Sequence, residues 1–456
     1  MTAKIAEPSI TEQLGRYMAE AHSYDLPADV TRKAKNHILD TVAAMVSGAS
    51  LMPGQKAIAY IRTLGGTPEA QVVRSDIVTS AANAALANGM LAHADETDDM
   101  HLPTKCHPGC GIVPAALAMA EREEASGTDF IRAVTLGYDI CCRVLEAMDS
   151  TLLYETHRST QGIGPTFGAA AAAGSLVRLN ATQMQYLLSF AAQQASGIRC
   201  WSRDLEHIEK AFDFGGMGAL NGVMAATMVQ AGFTGVLNVL EGEHNLLDAF
   251  STNPQPQVLL DRLGSFYEIT NIAIKMYSVG YPIQAALDAL LTIVNRHGLA
   301  AGDVKRLVAR MPEDGARIVD NREMPNINVQ HALAMALVDG GVTFDSIHSS
   351  ERMKDPAVLA MKSRVHLQPD PALMDPETPR QAVIEIETKD GRTLSHHTKS
   401  PPGTVQNPMT KEQLTAKARD LMTPGLGPAR TEKLIANLQD LEAVRNVREL
   451  RSLLST

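Results

Sequence analysis

Over roughly the first 265 residues, apolar positions recur every three or four places, the period of helices that bury one face. PADVTRKAKNHILDTVAAMVSG (Pro27 to Gly48) sets Val30, Ile38, Val42 and Val46 near one stripe and ends on glycine, as helices often do. SAANAALANGMLAHA (Ser80 to Ala94), GIVPAALAMAEREEASG (Gly111 to Gly127), DFIRAVTLGYDICCRVLEAM and NATQMQYLLSFAAQQASG follow the same rule. FGAAAAAGSLVRL is so rich in alanine that it belongs among other helices rather than on a surface.

Near Leu260 the texture changes. VKRLVARMP (Val304 to Pro312) alternates in part, and SRVHLQPDP is a second short strand candidate. RQAVIEIETKDGRTLSHHTKSPP is the clearest β signal: two alternating runs flank Asp390-Gly391, a good hairpin turn. The helical stretch YPIQAALDALLTIVNRHG, starting at Pro282, precedes these strands, and the helical NVQHALAMALVDGG lies among them. TKEQLTAKARDLM and RTEKLIANLQDLEAVRNVRELRSLL are helical again. The pattern therefore predicts a mainly α protein. A helical domain spans residues 1–267, a small α+β domain 268–400, and C-terminal helices 401–456 return to the helical domain.

Composition narrows this picture. The 456 residues exceed one compact core, and 45% hydrophobic content excludes a mostly disordered chain. Aromatics are only 4% while alanine, leucine, methionine and glycine abound, which favours closely packed helices over a β-sandwich. The net charge of −10 comes without a basic cluster, so nucleic acid is not an expected partner. No run reaches the length of a membrane span and the opening residues lack a signal-like apolar stretch, so no membrane is expected either. Five cysteines do not suggest a disulfide framework, and a reducing cytoplasm is the expected location.

Four polar islands carry candidate chemistry. HADETDDMHLPTKCHPG (His93 to Gly109) packs three histidines, one cysteine and four carboxylates after a helix that ends near His93, with Cys110 immediately following. It reads as a solvated acidic loop, a metal site or an acid–base site. Metal ligation is disfavoured because Cys106, His107 and Cys110 form no CxxC and no HExxH is present. In the second island His157 and Thr160 precede Gly162, Gly164 and Gly168, after which a long buried helix is expected to begin. Such a glycine-lined helix entrance offers N–H groups to an anion, although close helix packing explains Gly168 at least as well. The third places Arg203, His207 and Lys210 beside a Phe-Gly-Gly turn and the only tryptophan. The fourth sets Lys275 after apolar Ile274. Cations with carboxylates and imidazoles suit proton transfer next to a substrate carboxylate.

Taken in order and spacing, HADETDDMHLPTKCHPG, HRSTQGIGPTFGAAAAAG, IEKAFDFGGMGALNGV and IKMYSVGYPIQAALDA resemble the MmgE/PrpD family, as does MPNINVQHALAMALVDGGVTF. The likeness runs from about residue 10 to 420. It implies a large helical domain, a smaller α+β domain with the active site between them, and a homodimer. It also implies a small carboxylate substrate handled without metal or organic cofactor. Members include 2-methylcitrate dehydratase, cis-aconitate decarboxylase and iminodisuccinate epimerase. Dehydration of a citrate-like tricarboxylate is the activity expected first, epimerisation or decarboxylation of a related acid the alternatives, and a non-catalytic carboxylate binder the remaining one. Carried over motif by motif, His107, His157, Asp98 and Lys210 become the catalytic candidates, and Lys275, Glu96, Asp99, His101 and Arg203 the substrate-binding ones. The chain departs from the family pattern at Glu96, Thr97 and Met100, which stand for Asp, Phe and Thr, and at Asp213, which stands for a histidine.

Overall fold

The computed structural model describes residues 8–456. They group into two compact units. One comprises the residues up to Ala94, Asp98–Ile272 and Leu421–Thr456; the other comprises Asp95–Thr97 and Ala273–Asp420.

The first unit is helical. Its elements run α1 (Ile10–Glu20), α2 (Ala28–Gly48), α3 (Met52–Arg62), a two-residue antiparallel pair β1 (Ala70–Gln71) and β2 (Val78–Thr79), then α4 (Ala81–Ala92), α5 (Gly109–Arg122) and α6 (Gly127–Ala147). There follow α7 (Ser150–Glu155), α8 (Thr160–Leu176), α9 (Ala181–Gln194), α10 (Ile208–Ala211), a π-turn at Phe212–Gly216, α11 (Met217–Gln230) and α12 (Leu246–Phe250). Side-chain caps start several of them: Ser80 accepts from the Asn83 N–H at α4, Ser126 from Asp129 at α6, and Asn180 closes a capping box at α9. The alanine-rich α8 is buried over its whole length. It begins at Thr160, so Gly162, Gly164 and Gly168 lie inside it, and the glycine-lined entrance expected from the sequence does not form. Their role is close approach. A Cβ at Gly168 would lie 2.6 Å from the Gly137 carbonyl oxygen on α6, and one at Gly164 would lie 2.5 Å from Leu145. The C-terminal residues of this unit are tied to its core by Lys35–Glu442 at 2.9 Å and by the Arg451–Glu121 ion pair.

The second unit is α+β. It contains α13 (Gln284–His297), β3 (Val304–Met311), α14 (Glu313–Val319), α15 (Val329–Asp339), α16 (Phe344–His348), α17 (Pro356–Lys362), β4 (Val365–Pro369), β5 (Ala382–Thr388) and β6 (Thr393–Thr398). The sheet order is β4-β3-β5-β6, with β3 and β4 parallel and the other pairs antiparallel. The strands and the Asp390-Gly391 turn read from the alternation are all present. β5 is buried at every second residue, as expected of a strand with one face on a core. That core joins Leu307, Ala309, Ile384 and Ile386 to Leu287 and Leu290 of α13 and Leu333 of α15. A 3₁₀ turn at Tyr281–Ile283 carries Pro282, so the α-helix itself starts two residues later than the proline suggests. α18 (Lys411–Leu426) is shared in sequence between the units, and α19 (Pro428–Gln439) and α20 (Arg451–Leu454) complete the helical one. Among the described residues, no helix is long and apolar enough to cross a membrane.

Candidate active site

The loop after α4 is buried, contrary to the solvated reading of its charges. His93, Asp98, Asp99 and His101 are each 0% exposed and His107 is 6% exposed. Ionised groups persist at such depth only when paired. Asp98 is paired twice: its Oδ2 lies 2.9 Å from His93 Nδ1 and its Oδ1 lies 3.1 Å from His107 Nδ1. One carboxylate therefore fixes two imidazoles by the same nitrogen. This is the arrangement by which a carboxylate sets the tautomer of a catalytic histidine. His93 Nε2 is buried without a hydrogen-bond partner among the described residues. The His107 N–H donates to Gln161 Oε1 at 2.8 Å, which holds the loop's last turn to α8.

Asp99, one residue on, binds structure rather than a free ligand. Its Oδ2 meets His37 Nδ1 at 2.7 Å and the Tyr138 hydroxyl at 2.5 Å, while Oδ1 accepts the Gly109 N–H at 3.0 Å. It thus ties the loop to α2, α6 and the first turn of α5. His101 turns to other partners, Thr104, Glu146 and Glu268.

The π-turn supplies an aromatic wall. Phe214 stacks on His93 with centroids 4.2 Å apart, lies 5.3 Å from His107, and takes Trp201 edge-on at 4.8 Å. The Lys210 ammonium stands 5.0 Å from the Phe214 centroid and 5.5 Å from that of Trp201. His207, buried in a left-handed conformation at the head of α10, brings its ring within 5.2 Å of His93. A π-turn places Phe214 here because paired glycines allow it. A Cβ at Gly215 would meet the Gly89 carbonyl oxygen at 2.0 Å, so only glycine lets the turn lie against α4. Behind the wall, Asp213 accepts a short hydrogen bond from Ser159, whose Oγ in turn accepts from Trp201 Nε1 at 3.2 Å. Burial outweighs that bond and pushes the Asp213 carboxyl up to about 7.

The structure thus brings His107, Asp98 and Lys210 together around Phe214. His157 is not in that cluster: it lies exposed, with φ 66°, in the turn between α7 and α8. Arg203 is exposed on the 3₁₀ turn at Arg199–Arg203. His93 and His207 belong to the islands read from sequence but not to the catalytic and substrate-binding candidates drawn from them. Phe214 and Gln161 carried no chemical signal at all, since stacking and backbone capping are visible only in three dimensions. Within the helical unit, His93, Asp98 and Cys110 offer donor atoms within 4.8 Å of one another that suit a metal ion; Cys110 Sγ donates to the His107 and Phe214 carbonyls.

In the α+β unit the other half of the acidic run is gripped by cations. Lys275, 1% exposed, donates to the Glu96 carbonyl at 2.9 Å and lies 3.7 Å from its carboxylate. Gln284 holds the chain just beyond it, bonding to the backbone of Tyr277 and Val279. His348 Nε2 pairs with Asp95 at 3.0 Å, and Lys417 donates to the Thr97 carbonyl at 3.0 Å. Burial disfavours the His348 charge, but the Asp95 pair prevails and raises its pKa above the ordinary value. Neither His348 nor Lys417 stood out in sequence.

A buried carboxylate orienting two imidazoles beside a lysine is the equipment of an enzyme that moves protons. Residues 12–259 match the MmgE/PrpD N-terminal domain and residues 277–441 the MmgE/PrpD C-terminal domain, so the chain belongs to the MmgE/PrpD family, enzymes that act on small carboxylates. It is 26% identical to the cis-aconitate decarboxylase-like protein oryM of Aspergillus oryzae, over 100% of this chain and 99% of that one. It is 24% identical to a cis-aconitate decarboxylase of Aspergillus terreus, over 96% of this chain and 93% of the relative.

Proposed function

We propose that this protein is a cofactor-independent lyase acting on a small tricarboxylate by proton transfer at the carbon beside a carboxylate. The observation that carries the reading is the bridging of His93 and His107 by Asp98. With Nδ1 held by the carboxylate, His107 Nε2 is the proton-transfer atom, and Asp98 stabilises the imidazolium when it forms. Lys210 neutralises charge that develops on a substrate carboxylate. Arg203 is assigned to a further carboxylate, and Asp99 is a positioning residue for the loop.

The names of the relatives support decarboxylation of a cis-aconitate-like acid. The bond to one carboxyl carbon breaks, carbon dioxide leaves, and the electron pair left on the carbon skeleton takes the proton from His107. Asp213 supports dehydration as a second reading. With a carboxyl pKa of about 7 it is partly protonated at neutral pH and able to give that proton to a departing hydroxyl, while a histidine removes the neighbouring C–H proton.

Proton NMR of citrate, 2-methylcitrate, cis-aconitate and substituted succinates in deuterated water, with enzyme, tests both. Loss of carbon dioxide with one deuterium gained marks decarboxylation; an alkene formed with loss of water marks dehydration. Deuterium exchange or inversion with neither loss would replace the lyase by an epimerase. His107→Gln is expected to lower kcat by about 10²–10⁴-fold, the usual worth of a general acid or base.

A further inference from the structure

The helical unit holds a second cluster built on residues outside the Asp98 centre. The His101 side chain is wholly buried. Its Nδ1 bonds Thr104 Oγ1 at 2.9 Å, and its Nε2 has no hydrogen-bond partner among the described residues. That free nitrogen is aimed at two carboxylates, Glu146 Oε1 of α6 at 3.8 Å and Glu268 Oε2 of the 3₁₀ turn Glu268–Asn271 at 4.0 Å. Both separations are too long for hydrogen bonds, and the three donor atoms lie within 4.8 Å of one another. Burial keeps the ring neutral, with its pKa lowered to about 4, so Nε2 retains a lone pair. Burial and then repulsion from Glu268 raise Glu146 to about 7, as expected of buried carboxylates that face each other.

The neighbouring Arg143 guanidinium opposes that rise at both carboxylates, but its close partners lie elsewhere. Arg143 Nε pairs with Asp139 at 3.0 Å, and its other nitrogens donate to the carbonyls of Val258, Asp261 and Phe266. A cleft of about 560 Å³, lined by Glu146 and Glu268 together with Arg143, Gln257, Asp261 and Arg262, gives a small ion access.

We propose that His101, Glu146 and Glu268 form a binding site for a divalent transition-metal ion of the Zn²⁺ or Mn²⁺ class. One neutral imidazole and two carboxylates match the ligand preferences of these ions and balance their charge. An ion about 2.1 Å from each donor spans at most about 4.2 Å between two of them, so binding needs only a small inward shift of the carboxylates. Thr104 plays the part of the outer hydrogen-bond partner that fixes a ligating ring. The ion ties the loop to α6 close to the centre that works above it in sequence: the His101 N–H bonds the Cys106 carbonyl at 2.7 Å, and Cys106 immediately precedes His107. It stiffens this loop and takes no part in the proton transfer.

Isothermal titration of the chelator-treated full chain with ZnCl₂ and with MnCl₂, alongside thermal melts, tests the site. The expected result is one ion per chain and a raised Tm, with Glu146→Gln and Glu268→Gln each weakening binding at least tenfold and removing the Tm gain. Glu146 is partly exposed, so its variant is expected to fold, which circular dichroism checks. Cys110→Ser, in the other candidate donor set, is expected to leave the affinity unchanged. Absence of binding at millimolar ion, or binding that Cys110→Ser abolishes and the two glutamine variants spare, would overturn the proposal.

Discussion

Asp98 holds two histidines with one side chain, and that economy makes it the most exposed point of the catalytic reading. Asp98→Asn keeps the size but can accept through only one oxygen, so one ring loses its Nδ1 acceptor and its tautomer is released. The expected outcome is a fall in kcat of at least 10²-fold with KM little changed, measured on whichever tricarboxylate the NMR screen identifies. Asp213 gives a test that needs no substrate. Its pKa rises from 3.8 to about 7 because it is buried, so between about pH 4 and 7 the folded chain holds a proton that the unfolded chain has lost. Stability from this group is present at low pH and is lost as pH rises through 7. The Tm of Asp213→Asn should therefore gain on the parent's as pH climbs from 4 to 8, a trend that melts across that range will reveal. Glu146, raised to about 7, shares the trend in both proteins, so only the difference between them isolates Asp213. At this scale the sequence marked His107, Asp98 and Lys210 as chemistry, because charged and imidazole side chains are conspicuous wherever they stand. It did not distinguish buried His107 from exposed His157, since burial depends on neighbours such as Gln161 and Phe214 that are distant in sequence.

Among the elements, the helices and strands followed from apolar periodicity, and the hairpin from its Asp-Gly turn. The exceptions are instructive. The glycines of α8 look like punctuation in one dimension, yet they are interior residues chosen for contact with α6. The π-turn at Phe212–Gly216 has no periodic signature, because a single extra residue inside a helix barely alters the apolar pattern. Its consequence is large, since it turns Phe214 onto His93. Gly215→Ala would force a Cβ against the Gly89 carbonyl. The cost expected is about 1–3 kcal/mol in denaturant unfolding, with activity falling more than stability because the wall behind His107 shifts. Equal loss in both, or neither, would mean that the turn serves packing alone.

For the molecule as a whole, three residues of the acidic loop belong to a unit otherwise made from the second half of the chain. Lys275, Lys417 and His348 all spend hydrogen bonds or ion pairs on Asp95–Thr97. A fragment of residues 273–420 lacks those partners, and Lys275 is then a buried cation without its counter-charge. Produced alone, it is expected to melt broadly by circular dichroism, whereas a sharp, cooperative transition would show that the segment contributes little. The sequence by itself determined the helical and α+β character, the strands, the family and the residue types available for carboxylate chemistry, because these rest on local periodicity and on ordered motifs. Only the tertiary structure decided which ionisable groups are buried and by what they are paired. It divided one acidic run among three tasks: Asp98 to orient imidazoles, Asp99 to hold the scaffold, and Glu96 to meet Lys275. Four like-charged residues within five positions have nearly identical chemistry, and what separates them is the dielectric and the partners that folding brings to each.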